Sequence, residues 1–168
     1  MKKILLVCVC IAFVLYSCNK NSAIAPTSYI SATINGTNEM FGTIDSGLYR
    51  SNANSYSVSL SALSGTTANA DKMELYLANP TQITTGTYAL TTTWNPPFEP
   101  LIIYKINGSS NFADDFVVDY TGNHPAQITI TSISSTNIQG TFSATLVAAD
   151  NSGNTKTITN GTFNVDIK

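Results

Sequence analysis

Side chains able to do chemistry are sparse in this 168-residue chain, and most of them stand alone. The single histidine, His124, lies in Thr121-Gly122-Asn123-His124-Pro125, which reads as a turn. One histidine would suffice for a Ser-His-Asp triad, but the chain has no Gly-x-Ser-x-Gly elbow to present a nucleophile. His124 is therefore expected to be an exposed loop residue. Asp114, Asp115 and Asp119 offer oxygen ligands of the kind calcium takes, at a spacing that an ordinary solvated loop also produces. Asp150-Asn151-Ser152-Gly153-Asn154 lacks the distal bidentate Glu of a calcium loop and reads as a hairpin turn. The expectation is no metal, no cofactor and no catalytic residue.

Paired carboxylates for glycoside hydrolysis would need two acids across a cleft, one of them kept protonated. The glutamates are Glu39, Glu74 and Glu99. Glu99 falls in the most unusual segment, Trp94-Asn95-Pro96-Pro97-Phe98-Glu99-Pro100, whose three prolines stiffen the chain and remove backbone donors. A stiff loop presenting aromatic rings can stack a sugar or dock a partner at little entropic cost. Trp94, Phe98 and Glu99 are accordingly the candidate ligand-binding residues, with Trp94 as a lid on the core the structural alternative.

The elements that must position these residues are read from period-two alternation. Ile30, Ala32 and Ile34 alternate with Ser and Thr and run into Asn35-Gly36, a strong hairpin signal. Tyr56, Val58, Leu60 and Ala62 alternate with serines, giving a strand with one wet face. Met73, Leu75 and Leu77 repeat the pattern up to Asn79-Pro80, and Gly86 to Leu90 forms a short strand. Leu101–Ile106 is a more continuous apolar run ending at Asn107-Gly108, which suggests burial on both faces. Phe116–Tyr120, the Ile128/Ile130 segment, Ile138 to Leu146 and Ile158 to Ile167 complete the set, with a bulge or close approach expected at Gly140. Gly86-Thr87-Tyr88, Gly140-Thr141-Phe142 and Gly161-Thr162-Phe163 recur at irregular spacing, so they do not mark a repeat protein. No stretch carries a capped helical stripe. About nine or ten short strands with frequent turns predict an all-β fold, an antiparallel β-sandwich, with a lipocalin-like closed barrel as the alternative. Strands near six residues are too short for a transmembrane barrel.

The first eighteen residues carry a different signal. Lys2 and Lys3 precede an uncharged apolar run from Ile4 to Tyr16. As a helix it would reach about 20 Å, short of the ~30 Å hydrocarbon core, and it suits the apolar region of a secretory signal. The run ends in Leu15-Tyr16-Ser17-Cys18, which resembles the bacterial lipobox. The resemblance implies cleavage before Cys18 and lipid attachment there. Cys8 and Cys10 would leave with the signal, so the mature chain could form no internal disulfide. Several acyl chains would hold Cys18 stably where one is marginal. The organisation expected is a signal peptide at 1–17, a lipidated Cys and flexible tether at 18–28, and one β-domain at 29–168.

Composition bounds the partners. Charged residues make up 11% against 43% hydrophobic, too apolar for disorder. The net charge of −2 becomes −4 once Lys2 and Lys3 are removed, and no basic patch favours nucleic acid. The stretch Ile128-Thr-Ile-Thr-Ser, Gly140-Thr-Phe-Ser-Ala-Thr-Leu and Ile158-Thr-Asn-Gly-Thr-Phe-Asn-Val, with Ala32-Thr33-Ile34-Asn35-Gly36 at the start of the domain, resembles uncharacterised lipoproteins of Bacteroidota. The resemblance implies location and architecture and supplies no catalytic residues. Together these readings predict a non-enzymatic cell-envelope lipoprotein. Lipid on Cys18 anchors it in the outer membrane, facing the periplasm or the cell surface. Its β-domain binds a glycan or an envelope protein, or serves a structural role. The alternative is a carboxylate-dependent hydrolase of envelope or dietary glycans.

Overall fold

A computed structural model of the chain describes residues 27–90 and 100–168. Asn35 and Gly36 turn the chain with φ of 48° and 86°, the double-positive geometry that a two-residue hairpin needs. They join β1 (Tyr29–Ile34) to β2 (Thr37–Phe41), pairing Ile34 with Thr37. There follow β3 (Thr43–Asn52), β4 (Ser55–Leu63), β5 (Lys72–Asn79), β6 (Gly86–Ala89) and β7 (Leu101–Lys105). A single 3-10 turn (Phe112–Asp114) leads into β8 (Asp115–Val118), β9 (Ala126–Ile133), β10 (Asn137–Ala148) and β11 (Thr155–Asp166).

Every pairing is antiparallel, and the strands run β2-β1-β11-β10-β8-β7-β5-β4-β3 in one sheet. Strand β10 forks it: its residues 138–144 pair with β9, and residues 146–148 pair with β8 along the same edge. Strand β6 adds to β9. At the far end, β3 is drawn back toward the last residues. The Tyr49 N–H donates to the Lys168 carbonyl (3.2 Å) and the Lys168 N–H to the Gly47 carbonyl (3.0 Å). The all-β antiparallel expectation therefore holds, with eleven strands among the described residues. One continuous, nearly closed sheet fits the barrel alternative better than two separate sheets.

Alternation decides which face is wet. In β4, Val58, Leu60 and Ala62 enter the core while Ser59 and Ser61 lie on the opposite face, Ser61 covered there by its neighbours. Leu60, Leu75, Ile102 and Leu146 join one apolar core with Phe41 and Ile30. Two expectations need correction. Strands β10 and β11 have 12 residues each, not about six, because a long paired ribbon carries the fork. It is the outward Gln139, Thr141 and Ser143 of β10, rather than strand length, that lack the apolar band a lipid-facing barrel requires. Nor is Leu101–Ile106 buried on both faces: Ile102 and Tyr104 enter the core, whereas Leu101 and Ile103 are half-buried on the outer face.

The Gly-Thr-aromatic recurrence acquires a cause on β10 and β11. Gly140 faces Phe163, and Phe142 faces Gly161. A Cβ on Gly140 would stand 2.5 Å from the Phe163 ring, and one on Gly161 2.7 Å from the Phe142 ring. Each ring thus lies over the other strand's glycine, with the two centroids 6.5 Å apart. The register shifts beside Gly140, so the expected irregularity is found there.

Candidate binding site

Cys18, Trp94, Phe98 and Glu99 lie outside the described residues. The chain resumes at the buried Pro100 and enters β7 at Leu101. His124 does not stand alone. Its Nδ1 lies 2.7 Å from Asp119 Oδ2, while Asp119 Oδ1 accepts from the Thr121 N–H (2.8 Å) and hydroxyl (2.6 Å). Those Thr121 bonds, and then the His124 contact, hold the Asp119 carboxyl below its ordinary range. Among the described residues no serine or threonine hydroxyl bonds to His124, so the pair fastens the turn after β8. The three aspartates considered for calcium diverge. Asp114 accepts from the Ser109 hydroxyl, Asp115 approaches Lys105 at 3.4 Å, and Asp119 takes His124. No group of three metal-ligating side chains forms among the described residues.

The concave feature with most chemistry lies on the outward face of β3, β4, β5 and β7. Strand β4 presents Ser57, Ser59 and Ser61 as a low floor. Register sets taller side chains beside them: Leu48, Ser59, Tyr76 and Leu101 form one row across four strands, and Ser61, Glu74 and Ile103 another. Arg50 pairs with Ser57 and extends the β3 wall. Small residues between large ones leave a trough made of two cavities, of 370 and 260 Å³, which share Ser59 and Tyr76.

A bulge equips one end of the trough. Between Ile44 and Ser46 the β3–β4 register shifts, leaving Asp45 as the extra residue. Re-aimed by the bulge, Asp45 accepts from the Ser61 hydroxyl (3.0 Å) and meets Lys72 at 2.8 Å. Lys72 also meets Glu74 at 2.8 Å. Hydrogen bonds from Lys72 and then Ser61 keep the Asp45 carboxyl below its usual range. Burial pulls Lys72 down, but its two carboxylate contacts together leave it above its usual value. Both acids are thus committed to one ammonium. Ser57, Ser59 and Arg50 have no side-chain hydrogen bond or ion pair among the described residues. The trough therefore offers free hydroxyls, an open guanidinium, carboxylate acceptors and the ring of Tyr76, a set able to grip a polyhydroxylated molecule.

Two further features, a polar cluster and a mainly apolar cavity, lie at opposite ends of the sheet. Where β5 and β11 begin and β7 ends, the buried Tyr104 hydroxyl donates to Asp71 Oδ2 (2.5 Å), and Asp71 Oδ1 accepts from the Asn107 N–H (2.7 Å). Glu39 of β2 also contacts that phenol, and burial, then the neighbouring Asp71 charge, raise its carboxyl above the ordinary value. Burial and the Asp71 hydrogen bond likewise drive the Tyr104 phenol up. At the other end, where β3, β5 and β9 finish, a 540 Å³ cavity is lined by Tyr49, Gln82, Ile83 and Ile133.

No known family, curated protein or solved structure matches the chain. Among the described residues no helix is long and apolar enough to cross a membrane. The trough and the Glu39–Tyr104–Asp71 group were missed from sequence. The serine alternation of β4 was the one visible signal, but its flanking strands are brought in only by pairing.

Proposed function

We propose that the chain is a lipid-anchored cell-envelope protein whose β-domain is a non-catalytic binding module for a glycan, held in the trough across β3, β4, β5 and β7. The observation that carries this reading is the row of outward serines on β4, walled by Arg50 on one side and Tyr76 on the other. Sugars combine apolar ring faces with many hydroxyls, and an aromatic wall over a hydroxyl floor matches both. Against the hydrolase alternative stand the carboxylates of Asp45 and Glu74, both paired to Lys72. General acid catalysis needs an acid that keeps its proton near neutral pH.

Screening the protein on a glycan array, with titration calorimetry on the hits, tests the reading. Ser59→Tyr fills the middle of the trough and is expected to abolish binding without loss of fold. Binding that survives this change removes the trough as the site. Trp94→Ala in the same assay measures any share of the proline-rich loop, whose Glu99 precedes the trough residue Leu101 by two positions.

The lipobox supports anchoring at Cys18. From Cys18 to Thr27 the chain can extend at most about 30 Å, so an anchored domain would ride close to its membrane. Cys18→Ala is expected to leave an uncleaved precursor or free the protein from membranes. A mature N-terminus other than a blocked Cys18, read by mass spectrometry, overturns this part of the proposal.

A further inference from the structure

The trough is electrically lopsided. In its larger part the one cation, Lys72, is shared by Asp45 and Glu74 at 2.8 Å each, so local charge there is net negative. In its smaller part Arg50 stands beside Ser57, Ser59 and Tyr76, and no carboxylate pairs with it among the described residues. A guanidinium offers a planar fork of donors that fits a carboxylate bidentately, and such charge-assisted pairs are about twice as strong as neutral ones.

Resting on the reading of the trough as a glycan site, we propose that it selects an acidic sugar: a uronic acid whose carboxylate pairs with Arg50, followed by an uncharged sugar. The ring of the acidic unit lies against Tyr76, with its hydroxyls over Ser57 and Ser59. The next unit then falls in the larger part, where Asp45 and Glu74 accept hydrogen bonds from sugar hydroxyls. A second carboxylate at that position meets net negative charge and is disfavoured, so the acid and neutral units come in a fixed order. A point charge in place of the fork keeps only part of the selectivity, which distinguishes Arg50 from a generic cation.

The test compares cellobiouronic acid, glucuronosyl-β-1,4-glucose, with cellobiose, its neutral counterpart, by titration calorimetry on the full chain. The wild type is expected to bind the acid at least about tenfold more tightly than cellobiose. Arg50→Gln should erase that difference by weakening the acidic sugar far more than cellobiose, and Arg50→Lys should restore part of it. Ser59→Tyr should abolish both. Equal wild-type affinity for the two sugars, or a preference that survives Arg50→Gln, overturns the acidic-sugar inference and leaves the glycan reading standing. Binding of either sugar that survives Ser59→Tyr, or no binding of either by the wild type, overturns both.

Discussion

The two ends of the sheet use tyrosine in opposite ways. Tyr104 is sealed: 3% exposed, its ring edge-on to Phe41 at 6.4 Å, its hydroxyl given to Asp71 and contacted by Glu39. It links β7 and the start of β5 to β2, which the strand path places at the opposite edge of the sheet. Tyr49 lines the 540 Å³ cavity; burial and the nearby Tyr56 and Tyr88 raise its phenol, and Gln82 is its hydrogen-bonding neighbour. One end is closed by polar groups that satisfy one another, whereas at the other the edge strand β3 is fastened mainly through backbone bonds to Lys168. The difference teaches that a nearly closed sheet can be fastened by a buried hydroxyl at one end and by a pair of backbone bonds beside a cavity at the other.

Several substitutions break or sharpen this contrast. The largest effect is expected for Leu60→Asp, because Leu60 is 1% exposed in the layer that both ends share. An unpaired buried carboxylate costs several kcal/mol, and loss of the cooperative unfolding transition in circular dichroism is the expected outcome. Next comes Tyr104→Phe, which leaves the Asp71 oxygen without its donor and should cost about 1–3 kcal/mol in urea unfolding. The same change at the other end, Tyr49→Phe, removes a hydroxyl bordering an open cavity and should cost less than about 1 kcal/mol. Equal losses for the two variants would contradict the contrast.

The smallest effect is a change in pH dependence. Glu39 has a folded pKa above its ordinary value of 4.5, so the folded state binds its proton more tightly than the unfolded chain does. Its contribution to stability is present below 4.5 and is lost as pH rises through the folded value. Asp119 works in the other direction: its lowered pKa contributes stability above 3.8 that disappears as pH falls through the folded value. Glu39→Gln should therefore gain stability relative to the wild type between pH 4.5 and neutrality, with little difference below that interval. A constant difference across the range would show that the Glu39 charge is not felt at the closed end.

How much of this was legible in the sequence depended on whether one strand carried the information. Strand β4 was readable because Val58, Leu60 and Ala62 alternate with serines without interruption. Strand β3 was missed because the bulge at Asp45 shifts the face on which Ile44 and Tyr49 lie. That bulge also aims Asp45 into the trough, so one irregularity hid both an element and part of its chemistry. The Asn35-Gly36 turn and the irregularity at Gly140 follow from local rules and were foreseen. The Glu39–Tyr104–Asp71 contact joins residues 33 positions apart and more, and no local pattern encodes it. Trp94, Phe98 and Glu99 stood out by composition, whereas the trough is assembled from ordinary serines whose neighbours come from pairing.

The place of β1 between β2 and β11 has a consequence in time. Ser31 shares a hydrogen bond with Thr162, 131 residues later, so the first strand of the sheet waits for nearly the whole chain before its second neighbour exists. Contacts of such separation slow folding, since chain-closure entropy is spent before they form. Until β11 arrives, the β1–β2 hairpin is an isolated two-stranded ribbon, marginal in water. In a chain made N-terminus first, the β1–β2 hairpin therefore joins the sheet only after β11 has appeared.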